Sequence, residues 1–163
     1  MRNAILIMLA VAAVAAPAAF ASGATKGDGT LSVRDGNGKV LLSGRVSVLG
    51  RLDSGRIFFT NLEPTDLSEP DLFDTCDRIK PMTDLTTLCI GTKLRFRLLN
   101  VHYKVSVIGR GINLSAVGKG QATIEGADAT FDDGDFAANG APFKPITDTP
   151  VTVPFGTPAP SGP

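Results

Sequence analysis

Hydrophobic and polar residues alternate with a period of two from Lys93 to Glu125. Leu94, Phe96 and Leu98 are followed by Tyr103, Val105 and Val107, then by Ile112, Leu114 and Ala116, then by Ala122 and Ile124. Lys93, Arg95, Arg97, Lys104, Ser106, Asn113, Ser115, Gln121 and Thr123 lie between them. Such spacing sends one set of side chains to each face of a pleated sheet. Asn100, Gly109–Gly111 and Gly118–Gly120 divide the stretch into four runs, which predicts an antiparallel meander with one dry and one wet face.

The same alternation appears upstream. Gly29 to Arg34 reads as a strand with Leu31 and Val33 on one face, and Asp35-Gly36-Asn37-Gly38 supplies the residues of a hairpin turn. Lys39 to Leu52 is long for one strand, and Gly44 within it marks a bulge or bend. Asp53-Ser54-Gly55 is expected to turn the chain into Arg56–Thr60. There Ile57, Phe58 and Phe59 are consecutive, as in a strand covered on both faces or close to an edge loop. Val46–Arg51 and Val105–Arg110 echo each other (VSVLGR and VSVIGR), as strand–turn units of a β protein often do. The fold expected is all-β: an antiparallel β-sandwich or flattened barrel of about seven to nine strands.

Between Asn61 and Thr92 the rhythm stops. Pro64, Pro70 and Pro81 argue against a central strand, so 62–92 is expected to be an irregular loop, with room for a short helix in Leu67–Ile79 that docks Leu72, Phe73 and Ile79 inward. Cys76 and Cys89 are the only cysteines and lie in this span. In an exported chain they are expected to pair, contributing roughly 3 kcal/mol by restricting the unfolded state. Both lie outside 93–125, so reduction is expected to loosen the loop and spare the sheet. Downstream, Asp133-Gly134 resembles a small hairpin turn between Thr130-Phe131 and Asp135-Phe136, and Thr149–Phe155 suits a sheet edge that tolerates proline.

The first 21 residues change the compartment. Arg2 precedes the apolar stretch Ala4–Ala16, and Ala19-Phe20-Ala21 is a small-x-small cleavage site, the pattern of a secretory signal peptide. Pro17 interrupts the stretch, which is short of the roughly 20 residues a membrane span needs. Ser22 rather than a Cys directly follows Ala21, which argues against a lipid anchor. The organisation expected is a signal peptide at 1–21, a flexible leader at 22–28, one β domain over 29–155 with a disulfide-closed loop at 62–92, and a Pro-rich disordered tail at 156–163. The product would be periplasmic or extracellular, with no integral membrane segment after cleavage. Without Arg2 the chain holds 15 basic and 16 acidic residues, a near-neutral balance that argues against nucleic-acid binding.

Several stretches carry a family resemblance: Gly50–Gly55 (GRLDSG), Phe96-Arg97-Leu98, Gly109–Gly120 (GRGINLSAVGKG) and Gly134–Phe143 (GDFAANGAPF). Together they resemble a group of uncharacterised secreted bacterial proteins with an all-β domain and no assigned activity. The resemblance implies the compartment and the fold, and it lends no catalytic residue. The chain departs from the group at Asn100-Val101, where a tighter Gly-rich turn is expected.

Candidate chemistry is sparse, and no catalytic residue, cofactor or metal is expected. Asp53-Ser54-Gly55 is the triplet that carries the catalytic carboxylate of aspartic proteases, but Arg51 and Arg56 replace the apolar and small residues that flank it there. Asp-Ser-Gly is also an ordinary turn. A hydrolase with Asp53 is therefore an alternative to a binding or structural module. His102 is the single histidine, beside a turn. Asp128, Asp132, Asp133 and Asp135 surround Gly134 without EF-hand spacing, and read as a polar turn rather than a calcium site.

Charge placement says more. Residues 63–77 hold Glu63, Asp66, Glu69, Asp71, Asp74 and Asp77 without a base; residues 93–119 hold Lys93, Arg95, Arg97, Lys104, Arg110 and Lys119 without an acid. Lys93, Arg95, Arg97 and Lys104 are the candidate binding residues, for an anionic envelope polymer or a lipid headgroup. The acidic loop of the same or a neighbouring molecule is the competing partner, with self-association as a consequence, and a solvated face that discourages edge pairing is the third reading.

Overall fold

The computed structural model describes residues 27–63, 65, 75–128 and 132–156. The signal peptide, most of the leader, Leu72 and Phe73 of the expected short helix, Thr130-Phe131 and nearly all of the tail lie outside the described residues. Six strands form one antiparallel sheet: β1 (Gly29–Asn61), β2 (Arg78–Thr83), β3 (Thr86–Gly126), β4 (Asp135–Ala138), β5 (Lys144–Pro145) and β6 (Val151–Phe155). Their order is β2-β3-β1-β4-β5, with β6 on β3. The described residues hold no helix.

Most of the sheet is made by β1 and β3, which pair along two edges. Val40 lies opposite both Val107 and Ile124, Val48 opposite both Leu98 and Ala116, and Phe59 opposite both Thr87 and Val105. The meander expected for 93–125 is therefore corrected. Among the described residues the runs of β3 pair with β1, β2 and β6, and not with one another. The expected turns at Asp35–Gly38 and Asp53–Gly55 are likewise bends within a continuous strand, as is the break at Gly109–Gly111. Positive φ at Asp35, Asn100 and Gly111 (48°, 49° and 63°) redirects the backbone without reversing it. Turn residues mark where the chain must bend; they do not say by how much.

The bends also keep the apolar residues on one side. Inward positions are even-numbered from Val40 to Leu52 and odd-numbered at Ile57 and Phe59. On the facing strand they change in the same way, from Ile112 to Val107. Both changes fall where Asp53–Gly55 lies against Gly109–Gly111, so the two strands switch parity together. The resulting core includes Leu31, Leu42, Leu94, Val105 and Ile124, all fully or almost fully buried. Phe59 and Phe96 meet edge to face at its centre, ring centroids 5.6 Å apart.

Two glycines explain how tightly the strands pack. Gly44 has φ +147°, and a Cβ there would sit 2.2 Å from the Lys119 carbonyl oxygen, so this position excludes a side chain, while the pairing expected to bulge there runs through it unbroken on both edges. Gly50 has ordinary φ, but its Cβ would sit 2.2 Å from the Phe96 ring. The echoed segments 46–51 and 105–110 thus share inward valines, while Gly50 makes room for a ring and Gly109 backs onto the Ser54 carbonyl.

The 62–92 span departs from expectation most. β2 and the start of β3 form a hairpin there, with Ile79 opposite Cys89 and Lys80 opposite Leu88. Pro81 is accommodated because β2 is an outer strand of the sheet. Ile79, expected to dock inward, is 57% exposed on the outer strand, although its partner Cys89 is buried. The disulfide forms as expected, with Cys76 and Cys89 Cα atoms 5.5 Å apart. Cys89, however, is a buried residue of β3 opposite Ile57, so the bridge is anchored in the sheet rather than outside it. At the other end, β4 pairs Val33 and Arg34 of β1 with Phe136 and Asp135, and β6 carries Pro154 along an edge of β3.

Candidate anion-binding face

Lys93, Arg95 and Arg97 are exposed and alternate with buried Leu94, Phe96 and Leu98, so their side chains leave the sheet on the face away from the core. The register adds a residue that sequence reasoning missed. Arg51 lies directly opposite Arg95, and it is also exposed. Directly opposed residues have Cβ atoms about 4.5–5.5 Å apart, closer than the roughly 6.6–7 Å between alternate residues of one strand. Arg51 therefore crowds Arg95 more than Lys93 or Arg97 does. Its outward direction was readable from Val46, Val48 and Leu52; its partner was not, because pairing is a tertiary fact.

Lys104 is not part of this group. It lies beyond the kink at Asn100, opposite Ser43 on one side and Thr60 on the other. Among the described residues the ion pairs are Arg45–Glu63 and Lys119–Asp28, and neither involves Lys93, Arg95, Arg97, Lys104 or Arg51. Like charges held this close, within a Debye length of about 8 Å, repel one another and favour an anion laid across them.

The end of the acidic run closes the edge beside this face. The Thr75 hydroxyl accepts a hydrogen bond from the Arg95 N–H at 2.8 Å and donates to the Arg95 carbonyl at 3.2 Å. Asp77 accepts from the Thr92 N–H at 3.1 Å. These bonds cap backbone groups that a free strand edge would expose, and they leave the basic side chains uncovered. Asp66, Glu69, Asp71 and Asp74 lie outside the described residues.

The other candidates take structural positions. Asp53 is exposed at the bend, its carboxylate against Gly111, with Lys93 across from it in the register between the Leu52–Leu94 and Ser54–Thr92 pairs. An aspartic-protease site instead needs two carboxylates sharing a proton. His102 is a half-buried strand residue opposite Arg45, rather than a solvated turn. In the aspartate group, Asp132 accepts from the Gly134 N–H, and buried Asp133 accepts from the Asp128 N–H through Oδ2. Among the described residues, no three His, Cys, Asp or Glu side chains are grouped as metal ligands.

No family model matches this chain, and no curated protein or solved structure matches it. No helix among the described residues is long and apolar enough to cross a membrane.

Proposed function

We propose that this is an exported, non-catalytic β module that binds an anionic envelope polymer through Lys93, Arg95, Arg97 and Arg51. The observation that carries the reading is the register that sets Arg51 directly against Arg95, with no carboxylate paired to either among the described residues. A polymer with phosphate or carboxylate groups along its length can bridge several guanidinium groups at once, and arginine suits such contacts through its planar fork of donors. The disulfide fits an oxidising compartment outside the cytoplasm, as the signal-peptide pattern of residues 1–21 requires. The double pairing of β1 with β3 supports a sheet folded over on itself, as in the flattened barrel or sandwich expected from the alternation.

The test is binding to a glycerol-phosphate polymer across a salt series. Affinity should fall steeply as salt rises, and Arg51→Gln with Arg95→Gln should weaken it at least tenfold while leaving the melting temperature unchanged. Salt-independent binding, or a variant that binds as well as the parent, would remove this function. Assembly through the acidic run is the second reading, although Thr75 and Asp77 are anchored along the basic strand of their own chain. It requires salt-dependent self-association on gel filtration.

A further inference from the structure

We infer that the β2–β3 hairpin is a second, separate binding surface, and that it docks on an anionic lipid bilayer. All of β2 is exposed. Ile79, Met82, Leu85 and Ile90 are 57, 48, 42 and 37% exposed and belong to one hairpin: Met82 and Leu85 flank its turn, with Ile79 on one face and Ile90 on the other. The Asn61 N–H donates to the Leu85 carbonyl at 2.8 Å, which brings Leu62, 39% exposed, beside the tip. Grouped apolar exposure of this kind marks a contact surface, whereas single exposed apolar residues do not.

Charge selects the occupant. Arg78 lies opposite Ile90, Arg56 lies opposite Ile90 on the next strand, and Lys80 lies opposite Leu88. Lys104, separated from the Lys93–Arg97 face, is outward-facing two strands from Thr86, through Thr60. Asp84 is the acid at the tip, and nearby Glu63 is already paired with Arg45. Apolar side chains at an exposed turn, with basic residues behind them, match a bilayer interface: the turn enters the headgroup boundary and the cations meet lipid phosphates. A strand from a second copy fits less well. Pro81 has no N–H to offer in the middle of β2, and Lys80 beside it opposes edge pairing.

The test uses the full chain and its lack of tryptophan. Met82→Trp places a single reporter at the tip. Its emission should shift to the blue with vesicles of phosphatidylglycerol and phosphatidylcholine, and stay unshifted with phosphatidylcholine alone. Met82→Ser with Leu85→Ser should abolish the hairpin's contribution to partitioning onto anionic vesicles. Lys80→Gln with Lys104→Gln should weaken partitioning by about fivefold per charge removed. All variants share one N-terminus, so the apolar stretch Ala4–Ala16 contributes equally to each. An unshifted reporter overturns the inference, as does a blue shift on raising protein concentration without lipid, which would assign the hairpin to self-association. Arg51→Gln with Arg95→Gln should leave the reporter's shift intact. If that pair abolishes vesicle binding while the hairpin variants bind normally, the hairpin inference falls and the polymer-binding face stands.

Discussion

The doubly paired body of the sheet and the β2–β3 hairpin are built from the same kind of strand and have opposite fates. From Val40 to Phe59, β1 has β3 along both edges, and every inward side chain is buried. β2 has one partner, and none of its residues is buried. The difference lies in the second neighbour and the apolar layer that comes with it. A strand flanked on both edges contributes backbone hydrogen bonds on both sides and core area at alternate residues; an outer strand contributes few of either. The body is therefore committed to stability, and the hairpin is free to carry exposed apolar and basic residues.

Substitutions in each region test that division, beginning with the largest effect. Gly44→Val places a branched side chain at φ +147° and within 2.2 Å of a carbonyl oxygen of β3. It should prevent recovery of folded protein, read by circular dichroism, whereas Gly140→Ala, with positive φ but open space around it, should cost only about 1 kcal/mol. A Gly44→Val protein as stable as the parent would show that the two strands are not held as closely as described. Next, Phe96→Ala removes the ring that packs on Phe59 and over Gly50, and should cost about 3–5 kcal/mol in chemical denaturation.

The disulfide joins the two regions and sharpens the comparison. Replacing both Cys76 and Cys89 by Ala should cost about 2–5 kcal/mol. Because Cys89 is buried opposite Ile57, hydrogen exchange should quicken in Arg56–Phe59 as well as in the hairpin. Faster exchange confined to the hairpin would restore the view that the bridge lies outside the sheet. The smallest effect belongs to the basic face. Arg95→Glu should spare stability while abolishing polymer binding. A loss of about 0–1 kcal/mol, as for exposed pairs, with polymer binding unchanged would mean that the acidic run neutralises this face within the molecule.

Some of this was readable beforehand. Leu31 and Val33, the inward set of 94–124, the edge position of Val151–Phe155 and the Cys76–Cys89 bridge all appear as expected. The hairpin at 78–92 was missed because Pro81 and the lack of alternation obscured a strand that has no buried face to pattern it. On the candidate face, the direction of Lys93, Arg95 and Arg97 was legible. The exclusion of Lys104 and the inclusion of Arg51 were not.

The sequence by itself determined which side of the backbone each residue takes, because a period of two is a local property of extended chain. It also determined where the backbone must bend, because glycine and asparagine tolerate φ values that other residues resist. Tertiary structure alone decided which runs lie side by side. A run of alternating valines and serines pairs equally well with its neighbour in sequence or with a strand 60 residues away, and the choice rests on how the whole apolar face closes over one core. That choice set Arg51 against Arg95, parted Lys104 from them, and left β2 exposed as an outer strand.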